Sequence, residues 1–446
     1  MGHLNILTRA EIEGLGPPRP EELADVDVPE PFLRDLALKH MATMPAPTTA
    51  AVAERLHLPQ SLTEELLRHL YRERLIEIRS QETFGASLYA MLDRGWEQVG
   101  RLRMQCGYEG PAPVSLDDYT YMMRLQAVPF RPASMERVRT AFRDLVLPES
   151  LLQTLGCVIN SRSSLFLTGV AGSGKTAVSE RMNTALLGFI WIPYAIEVDG
   201  QVIRIFDSHR HRRVPERTSV VEHDQRWVEI ERPLVVVGGE LTLEDTDLAW
   251  SEVARFYEAP CHLKSNGGTL VIDDLGRQRV KPRDLLNRWI MPLERRADFL
   301  TLHNGKKIEV PFEQLVVFST NLEEKSLADE AFLRRMGYRA RIESPSIEAY
   351  GEIFKRAAAQ RGIALEQASL DYVLRRYATE KRQMKSCEPR DLLNRAMDIC
   401  LFEGTHPNLT PELIDLAWRN YFGTSHGFDA GVPDTMAEAD RVSLQI

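Results

Sequence analysis

The glycine-rich stretch GVAGSGKT at residues 169–176 is the feature that most restricts how this chain can fold. It lies between an apolar run, LFLT, and a helix-compatible segment, AVSERMNTALL, and it satisfies the pattern GxxxxGK[ST]. Glycines let backbone N–H groups turn inward around phosphates with no Cβ in the way. A helix that begins at the end of the loop adds partial positive charge. The alternative, a flexible glycine and serine turn, has no use for Lys-Thr at a helix start, so the stretch predicts a phosphate-binding loop.

The residues of this loop are the predicted nucleotide contacts. Lys175 is expected to reach the β- and γ-phosphates of a bound nucleotide, and Thr176 is expected to be a ligand of Mg²⁺. The full set of predicted contacts in the loop is Gly169, Val170, Ala171, Gly172, Ser173, Gly174, Lys175, Thr176 and Ala177.

Hydrolysis of a nucleotide also needs an acidic strand end, and the segment TLVIDDL provides one. Asp273 is expected to hold the Mg²⁺, mostly through water. Asp274 is the candidate base that polarises the attacking water. Because Asp is one methylene shorter than Glu, the water must lie closer or hydrolysis slows. The alternative is a strand that simply ends in an aspartate turn.

Polar and basic side chains follow the next apolar run, QLVVFSTN. Asn321 is expected to hydrogen-bond the γ-phosphate or the lytic water, and a turn asparagine is the alternative. In the segment AFLRRMGYRARIE, Arg334 and Arg335 are the candidates for an arginine finger that reaches a neighbouring subunit. Arg339 and Arg341, further along, are the second choices. The alternative for all four is a solvated basic face.

A basic residue also begins one of four helices predicted between residues 347 and 422. Arg390, in EPRDLLNRAM, lies at the start of a lid helix, from where its side chain can fold back onto the nucleotide. The alternative is an ordinary arginine in a first helical turn. That alternative is weakened because cations are disfavoured at that end of a helix.

Strand-like apolar runs alternate with helical stretches up to about residue 343, which predicts an α/β P-loop core with a parallel sheet. A four-helix lid follows this core. Before it, three helices, a hairpin and a further helix resemble a winged helix-turn-helix domain. The expected order is an irregular lead (1–29), the winged helix (30–107), a linker with helices (108–149), the core (150–345, with an insertion at about 185–240), the lid (346–423) and a disordered tail (424–446).

The order of these motifs resembles that of the AAA+ ATPases. GVAGSGKT looks like their Walker A motif, VIDD like Walker B, FSTN like sensor 1, FLRR like the arginine-finger region and PRDLL like sensor 2. The resemblance covers roughly residues 150–422. It implies ATP and Mg²⁺ as cofactors, and a homo-oligomeric ring, often a hexamer, with ATP at the subunit interfaces.

Two features refine the resemblance. The segment FLTLHNGKKIEV reads as a hairpin with NG as its turn, and such a hairpin before sensor 1 resembles the MoxR-type and σ54-activator branch. The GAFTGA loop of the σ54 activators is absent. The insertion carries His209, His211 and His223, whose spacing matches no metal-ligand pattern, so a solvated basic loop is favoured over a metal site.

The winged helix can read DNA or hold a protein partner. Its candidate recognition helix carries Arg68, His69 and Arg72, but also Glu64 and Glu65 near its start, which oppose a phosphate backbone. The predicted wing, QETFG, has no arginine. DNA binding is therefore possible but not favoured, and docking of a protein or self-association is preferred.

Composition sets outer limits on the function. The formal net charge of −9 argues against a protein that coats nucleic acid. No apolar stretch approaches the roughly 18–20 residues of a membrane helix, and the N-terminus has no basic region followed by an apolar core, so we expect neither a membrane span nor a secretion signal. The five cysteines form no CxxC pair, which fits reduced thiols and a cytoplasmic location.

The sequence therefore favours an Mg²⁺-dependent ATPase that forms rings and remodels or assembles a protein partner in a chaperone-like way. One alternative is a DNA-binding switch or transcription regulator whose assembly on DNA is controlled by ATP. Another is a slow, nucleotide-bound scaffold, which is suggested by Asp274 at the position where many AAA+ ATPases carry Glu. The client cannot be identified from the sequence, because the motifs of an ATPase core indicate the nucleotide chemistry and not the substrate.

Overall fold

The computed structural model describes residues 16–81, 87–127, 132–186, 188–215, 223–323, 327 and 330–423. The contacts within the chain divide it into two compact units. The first unit holds the described residues up to Gly169 and from Lys175 to Ile342, and the second holds Val170–Gly174 and the described residues from Glu343 onward. The predicted tail (424–446) and the first half of the predicted lead lie outside the described residues.

Helices and strands are numbered here in chain order over the described residues. The helices are α1 (Glu30–Met41), α2 (Thr49–Leu56), α3 (Gln60–Arg72), α4 (Asp93–Gln105), α5 (Leu116–Ala127), α6 (Met135–Ala141), α7 (Glu149–Ser161), α8 (Lys175–Ala185), α9 (Cys261–Lys264), α10 (Pro282–Arg295), α11 (Glu330–Arg335), α12 (Ile347–Gln360), α13 (Gln367–Thr379), α14 (Glu388–Glu403) and α15 (Pro411–Phe422). The strands are β1 (Ile76–Gln81), β2 (Ser87–Met91), β3 (Val114–Ser115), β4 (Leu165–Gly169), β5 (Phe189–Pro193), β6 (Ala195–Val198), β7 (Gln201–Arg204), β8 (Trp227–Glu231), β9 (Leu234–Val237), β10 (Ala249–Trp250), β11 (Tyr257–Glu258), β12 (Thr269–Ile272), β13 (Ala297–Thr301), β14 (Lys307–Pro311), β15 (Leu315–Thr320) and β16 (Tyr338–Ile342).

A five-stranded sheet, the core sheet, carries the phosphate loop. Its strand order is β16-β4-β15-β12-β9, and every neighbouring pair is parallel. Strands β12 and β15 are buried along their whole length, as strands covered on both faces must be. Because the strands are parallel, the residues that follow β4, β12 and β15 meet at one edge of the sheet. The predicted α/β P-loop core with a parallel sheet is confirmed.

The edge strand β16 was not predicted. The sequence treats YRARI only as a source of further arginines, whereas in the structure this segment pairs in parallel with β4. Arg339 and Arg341 are exposed and alternate with half-buried Tyr338 and Ala340. Apolar and basic residues alternate along this segment, which is the pattern of a strand with one covered and one exposed face.

A second five-stranded sheet, the insertion sheet, has the order β10-β11-β7-β6-β3 and mixes parallel and antiparallel pairs. It exceeds the predicted insertion at about 185–240, because it takes β3 from before the phosphate loop and β10 and β11 from after residue 240. Strand β9 lies inside the predicted insertion, but it pairs with β12 and so belongs to the core sheet. An antiparallel ribbon of β5 and β8 completes this region.

The predicted hairpin is formed by the antiparallel strands β13 and β14, with Asn304 and Gly305 in its turn. Its tip forms an ion pair between Lys306 and Asp199, which lies in the turn between β6 and β7. Four apolar side chains of the hairpin are buried in one core with strands β5 to β8: Leu300, Leu302, Ile308 and Val310. The hairpin is therefore packed against the insertion.

The N-terminal segment contains three helices (α1 to α3), the β1–β2 hairpin and α4, in the predicted order. Its apolar side chains share one core with Ala195 and Val202 of the insertion sheet. Residues 82–86, which include most of the predicted wing, lie outside the described residues. The assignment of a winged helix stays a prediction.

The second unit contains α12 to α15 packed around a single apolar core that includes Tyr350, Phe354, Val373 and Trp418. The four helices predicted after the core are all present. Among the described residues of the chain, no helix is long and apolar enough to cross a membrane.

A buried ion pair joins distant parts of the first unit. Arg226 and Asp224 are each 2% exposed, and the guanidinium contacts both carboxylate oxygens, at 2.7–3.1 Å. Arg226 also donates to the carbonyls of Val26 and Pro113, at 2.8 and 3.2 Å. This one side chain therefore connects the N-terminal segment, the linker and the insertion.

Replacing Arg226 by methionine should lower the free energy of unfolding by about 3–5 kcal/mol, because the Asp224 carboxylate would stay buried without its charged partner. Urea unfolding followed by circular dichroism measures the change. The matched control is Arg68→Met, which removes an exposed pair with Glu64 and should cost at most about 1 kcal/mol. Equal effects of the two substitutions would contradict the prediction.

Candidate nucleotide site

Three polar side chains of the first unit meet at the carboxyl edge of the core sheet. Strand β4 ends at Gly169 and helix α8 begins at Lys175, whose Nζ donates to the Gly169 carbonyl at 3.0 Å. The Thr176 hydroxyl donates to Oδ2 of Asp273 at 2.7 Å, across 97 residues of sequence. The two residues predicted as Mg²⁺ ligands are thus in direct contact. A hydroxyl and a carboxylate are hard oxygen donors, the chemistry that Mg²⁺ prefers.

Lys175 is enclosed, with only 7% of its surface exposed. Burial lowers the pKa of Lys175, and the charges of Asp274 and Asp273 oppose that effect. The ammonium group therefore lies in the field of both carboxylates. An anionic group that enters the site would favour its charged form further.

The middle of the loop, Val170–Gly174, belongs to the second unit. Gly172 has φ +82° and Gly174 has φ +95°, a region of backbone conformation that other residues rarely adopt. A Cβ on Gly172 would also lie 2.5 Å from Sγ of Cys387, whose N–H donates to the Gly172 carbonyl at 3.0 Å. The sequence predicts only phosphate contacts for this glycine. In the structure it also lets Cys387 approach closely.

Three further residues, Ser173, Ala171 and Ala177, are also predicted to contact the nucleotide. The Ser173 side chain is buried, its hydroxyl has no hydrogen-bond partner among the described residues, and its N–H donates to the Val170 carbonyl. Ala171 is exposed and Ala177 is half-buried. The contacts of these residues with a nucleotide stay predictions.

The turn that positions Cys387 is ordered by a buried hydrogen-bond chain. The Tyr350 hydroxyl donates to that of Tyr377 at 2.9 Å, and Tyr377 donates to the Glu388 carboxylate at 2.7 Å. The same carboxylate accepts from the Lys385 backbone N–H at 2.8 Å. Nothing in the local sequence signals this chain, because its members come from three helices or their ends.

Arg390 lies in the first turn of α14, as predicted, and its side chain is 63% exposed. Its Nε donates to Oδ1 of Asp391, its neighbour in sequence, at 3.0 Å. The structure therefore shows Arg390 on the same unit as the middle of the loop, paired to an adjacent carboxylate. Its role as a nucleotide contact stays a prediction.

Asp274 follows directly on Asp273 and has φ +49°, which is unusual for a residue other than glycine. Its N–H donates to Oδ1 of Asp273 at 3.0 Å. The loop is tied to the neighbouring strand β15 by the Leu275 N–H, which donates to the Ser319 carbonyl at 2.8 Å. The backbone at the predicted base is therefore strained and held by its surroundings.

Asn321 follows β15 at the same edge of the sheet. Its side-chain oxygen is buried and has no hydrogen-bond partner among the described residues. The preceding Thr320 hydroxyl donates to the Leu275 carbonyl at 2.7 Å, which joins this strand end to the loop of Asp274. A buried amide oxygen without a partner in the described part of the chain suits a residue that binds a ligand or water.

The four arginines predicted for the finger lie on two different elements, a helix and a strand. Arg334 and Arg335 are exposed at the end of α11, and Nε of Arg335 donates to Glu294 of α10. Arg339 lies on β16, and its guanidinium donates to the Leu333 carbonyl at 2.7 Å. Arg341 lies on the same exposed face of that strand.

The prediction of a solvated basic loop is wrong for His211, one of the three histidines of the insertion. His211 is buried, its Nδ1 accepts from the Asp207 N–H at 3.0 Å, and its Nε2 lies 2.7 Å from the Lys264 carbonyl. Burial lowers its pKa. No group of three or more His, Cys, Asp or Glu side chains within the described ranges is arranged to hold a metal ion.

Comparisons with known proteins give few matches at the level of sequence. A family model described as a domain of unknown function (DUF8689) matches residues 346–420, the four-helix part of the chain. No curated protein matches.

Solved structures match over larger parts of the chain. NtrX from Brucella abortus in complex with ADP is 16% identical, with a TM-score of 0.39, and the match covers 62% of this chain and 56% of that one. The chain thus spans a little over half the length of that protein. A point mutant of RuvB from Thermotoga maritima is 12% identical, with a TM-score of 0.37, over 70% of this chain and 75% of that one. At these values the function of the chain rests on its own residues. The parallel sheet and the phosphate loop give the chain a P-loop core, and the order of its motifs resembles that of the AAA+ ATPases.

Proposed function

We propose that the protein is an Mg²⁺-dependent ATPase. The observation that carries the proposal is the 2.7 Å hydrogen bond between Thr176 and Asp273, beside the enclosed Lys175. A phosphate loop followed by an acidic strand end of a parallel sheet brings these three residue types together. A purely structural turn would give no reason to bury a lysine.

Each residue has a defined task in this proposal. Backbone N–H groups of the loop and the Lys175 ammonium hold the phosphates, and Thr176 and Asp273 hold Mg²⁺. When bound, Mg²⁺ neutralises charge that develops on the phosphate oxygens. Asp274 orients the attacking water and accepts its proton, and Asn321 binds the water or the γ-phosphate.

Asp274→Asn tests the hydrolytic role, since the amide fills the same space and cannot accept the proton. Turnover should fall by about 10²-fold or more, while ATP still binds. Phosphate release and binding of a fluorescent ATP analogue measure the two quantities. Asp398→Asn, an exposed substitution on α14, is the matched control. Unchanged turnover of Asp274→Asn would exclude this residue as the base and favour a slow nucleotide-bound scaffold.

The proposed partner is a protein, and the proposed assembly is a homo-oligomeric ring. Two of the three basic residues on α3 that could contact DNA are held within the chain: Arg68 pairs with Glu64 at 3.3 Å and His69 with Glu30 at 2.7 Å. Exposed pairs of this kind are weak, but they leave the helix face nearly neutral. A phosphate backbone needs a basic face, so a protein client is favoured over DNA.

A further inference from the structure

The Gln278 side chain lies where the loops after β9 and β12 meet, and it is 9% exposed. Its Oε1 accepts from the Gly276 N–H at 2.8 Å. The two N–H groups of its Nε2 are shared among three carbonyls, those of Asp273, Gly238 and Asp274, at 3.0, 3.3 and 3.4 Å. One amide thus closes the loop that carries Asp273 and Asp274 and fastens it to the end of the neighbouring strand.

The geometry points to Gln278 as a positioning residue for hydrolysis: its amide holds Asp274 in the backbone conformation from which the carboxylate acts on the attacking water. This role rests on the proposed ATPase function. Gln278 itself does not contact the nucleotide in this proposal. It acts only through Asp274.

The conformation of Asp274 shows why such a clamp is needed. At φ +49° the residue lies in the left-handed region, which residues with a Cβ adopt uncommonly. Two hydrogen bonds act directly on its carbonyl, from Gln278 and from the Arg277 N–H at 3.0 Å. Of these two hydrogen bonds, only the one from Gln278 comes from a side chain.

The arrangement also explains why the side chain is a glutamine. The site needs an acceptor for one N–H and donors toward the carbonyls, and a primary amide offers one oxygen and two N–H groups. A glutamate would place a carboxylate oxygen against those carbonyls. A methionine would fill a similar volume and make none of these hydrogen bonds.

The length of Asp274 makes this clamp important for the rate. Aspartate is one methylene shorter than glutamate, so its side chain has less freedom to compensate for a shift of its backbone. Displacement of a catalytic group by about 1 Å can cost about 10²-fold in rate. Hydrolysis should therefore depend on the conformation at residue 274 more than nucleotide binding does.

A double-mutant cycle between Gln278→Met and Asp274→Asn tests the proposal. Gln278→Met should lower kcat for ATP by about 10- to 100-fold and leave KM and the affinity for the fluorescent analogue near those of the wild type. In the Asp274→Asn background the same substitution should have no further effect on kcat, because the residue it positions no longer acts. Gln367→Met, an exposed glutamine substitution on α13, is the matched control.

A purely structural role of Gln278 would give a different pattern, with losses of both affinity and kcat and with additive effects in the double mutant. Thermal unfolding checks that the variants fold. Where Gln278→Met does not, Gln278→Glu keeps an acceptor for the Gly276 N–H and gives the same comparison.

An unchanged kcat in Gln278→Met, or an equal loss in both backgrounds, overturns the positioning role and leaves the proposed ATPase intact. A wild-type protein that binds ATP without any turnover overturns the proposed hydrolysis, and the positioning role with it. The two failures are therefore distinguishable in the wild-type sample alone.

Discussion

Lys175→Ala should abolish ATP turnover and weaken nucleotide binding by about 10²–10³-fold. The Lys175 ammonium is enclosed and lies near the end of the phosphate loop, so it would meet phosphate charge with little water between them. Removing one partner of such a pair costs on the order of 3–5 kcal/mol, and each 1.4 kcal/mol is a factor of ten in affinity. Binding of a fluorescent ATP analogue and phosphate release give the two readouts.

The control for this substitution is Lys355→Ala, which removes an exposed lysine of α12. That variant should bind and hydrolyse ATP as the wild type does. Because Lys175 also donates to the Gly169 carbonyl, thermal unfolding should accompany the assay. A folded Lys175→Ala variant with wild-type turnover would refute the proposed ATPase site.

The phosphate loop and its acidic partner are predictable because each depends on a short local pattern. Glycine spacing, a lysine at a helix start and two aspartates after an apolar run are all legible in sequence. Their proximity follows from one further rule, that parallel strands end at the same edge of a sheet. The contact between Thr176 and Asp273 could therefore be anticipated without any long-range information.

Gln278 and Cys387 could not be anticipated in this way. Gln278 lies in GRQR, a segment whose composition is typical of a solvated basic loop. It is buried because its side chain folds back onto the loop and donates to the Asp273 carbonyl. Cys387 meets Gly172 across 215 residues of sequence, and no periodicity reports that contact. Residues that act through loop closure or through close packing of two segments leave no local signal.

The insertion sheet shows the same limit at the level of the fold. Within the predicted insertion at about 185–240, β6 and β7 form a hairpin. The remaining strands of that sheet are two-residue segments, β3, β10 and β11, drawn from either side of that range. Strands so short carry no alternation that a sequence pattern can reveal, so only their partners identify them.

Arg334→Ala should lower ATP turnover by several orders of magnitude if the proposed ring forms, because a finger supplied in trans is worth about 10³–10⁵ in rate. The neighbouring Arg335, the other residue predicted for the finger, has its guanidinium paired with Glu294 of its own subunit, and Arg335→Ala is measured beside Arg334→Ala. The rate per subunit of the wild type should rise with protein concentration, since each active site needs a neighbour. Arg101→Ala, an exposed arginine on α4, is the matched control.

Mixing two inactive variants decides whether the arginine acts in trans. An Arg334→Ala subunit keeps an intact phosphate loop, and a Lys175→Ala subunit keeps an intact Arg334. At an interface where the first supplies the loop and the second the arginine, a complete site forms, so the mixture should regain a fraction of the wild-type rate that neither variant shows alone. Absence of any recovery, in a mixture shown by size-exclusion chromatography to co-assemble, would place the arginine in its own subunit's site. A loss confined to Arg335→Ala would reverse the assignment between the two arginines.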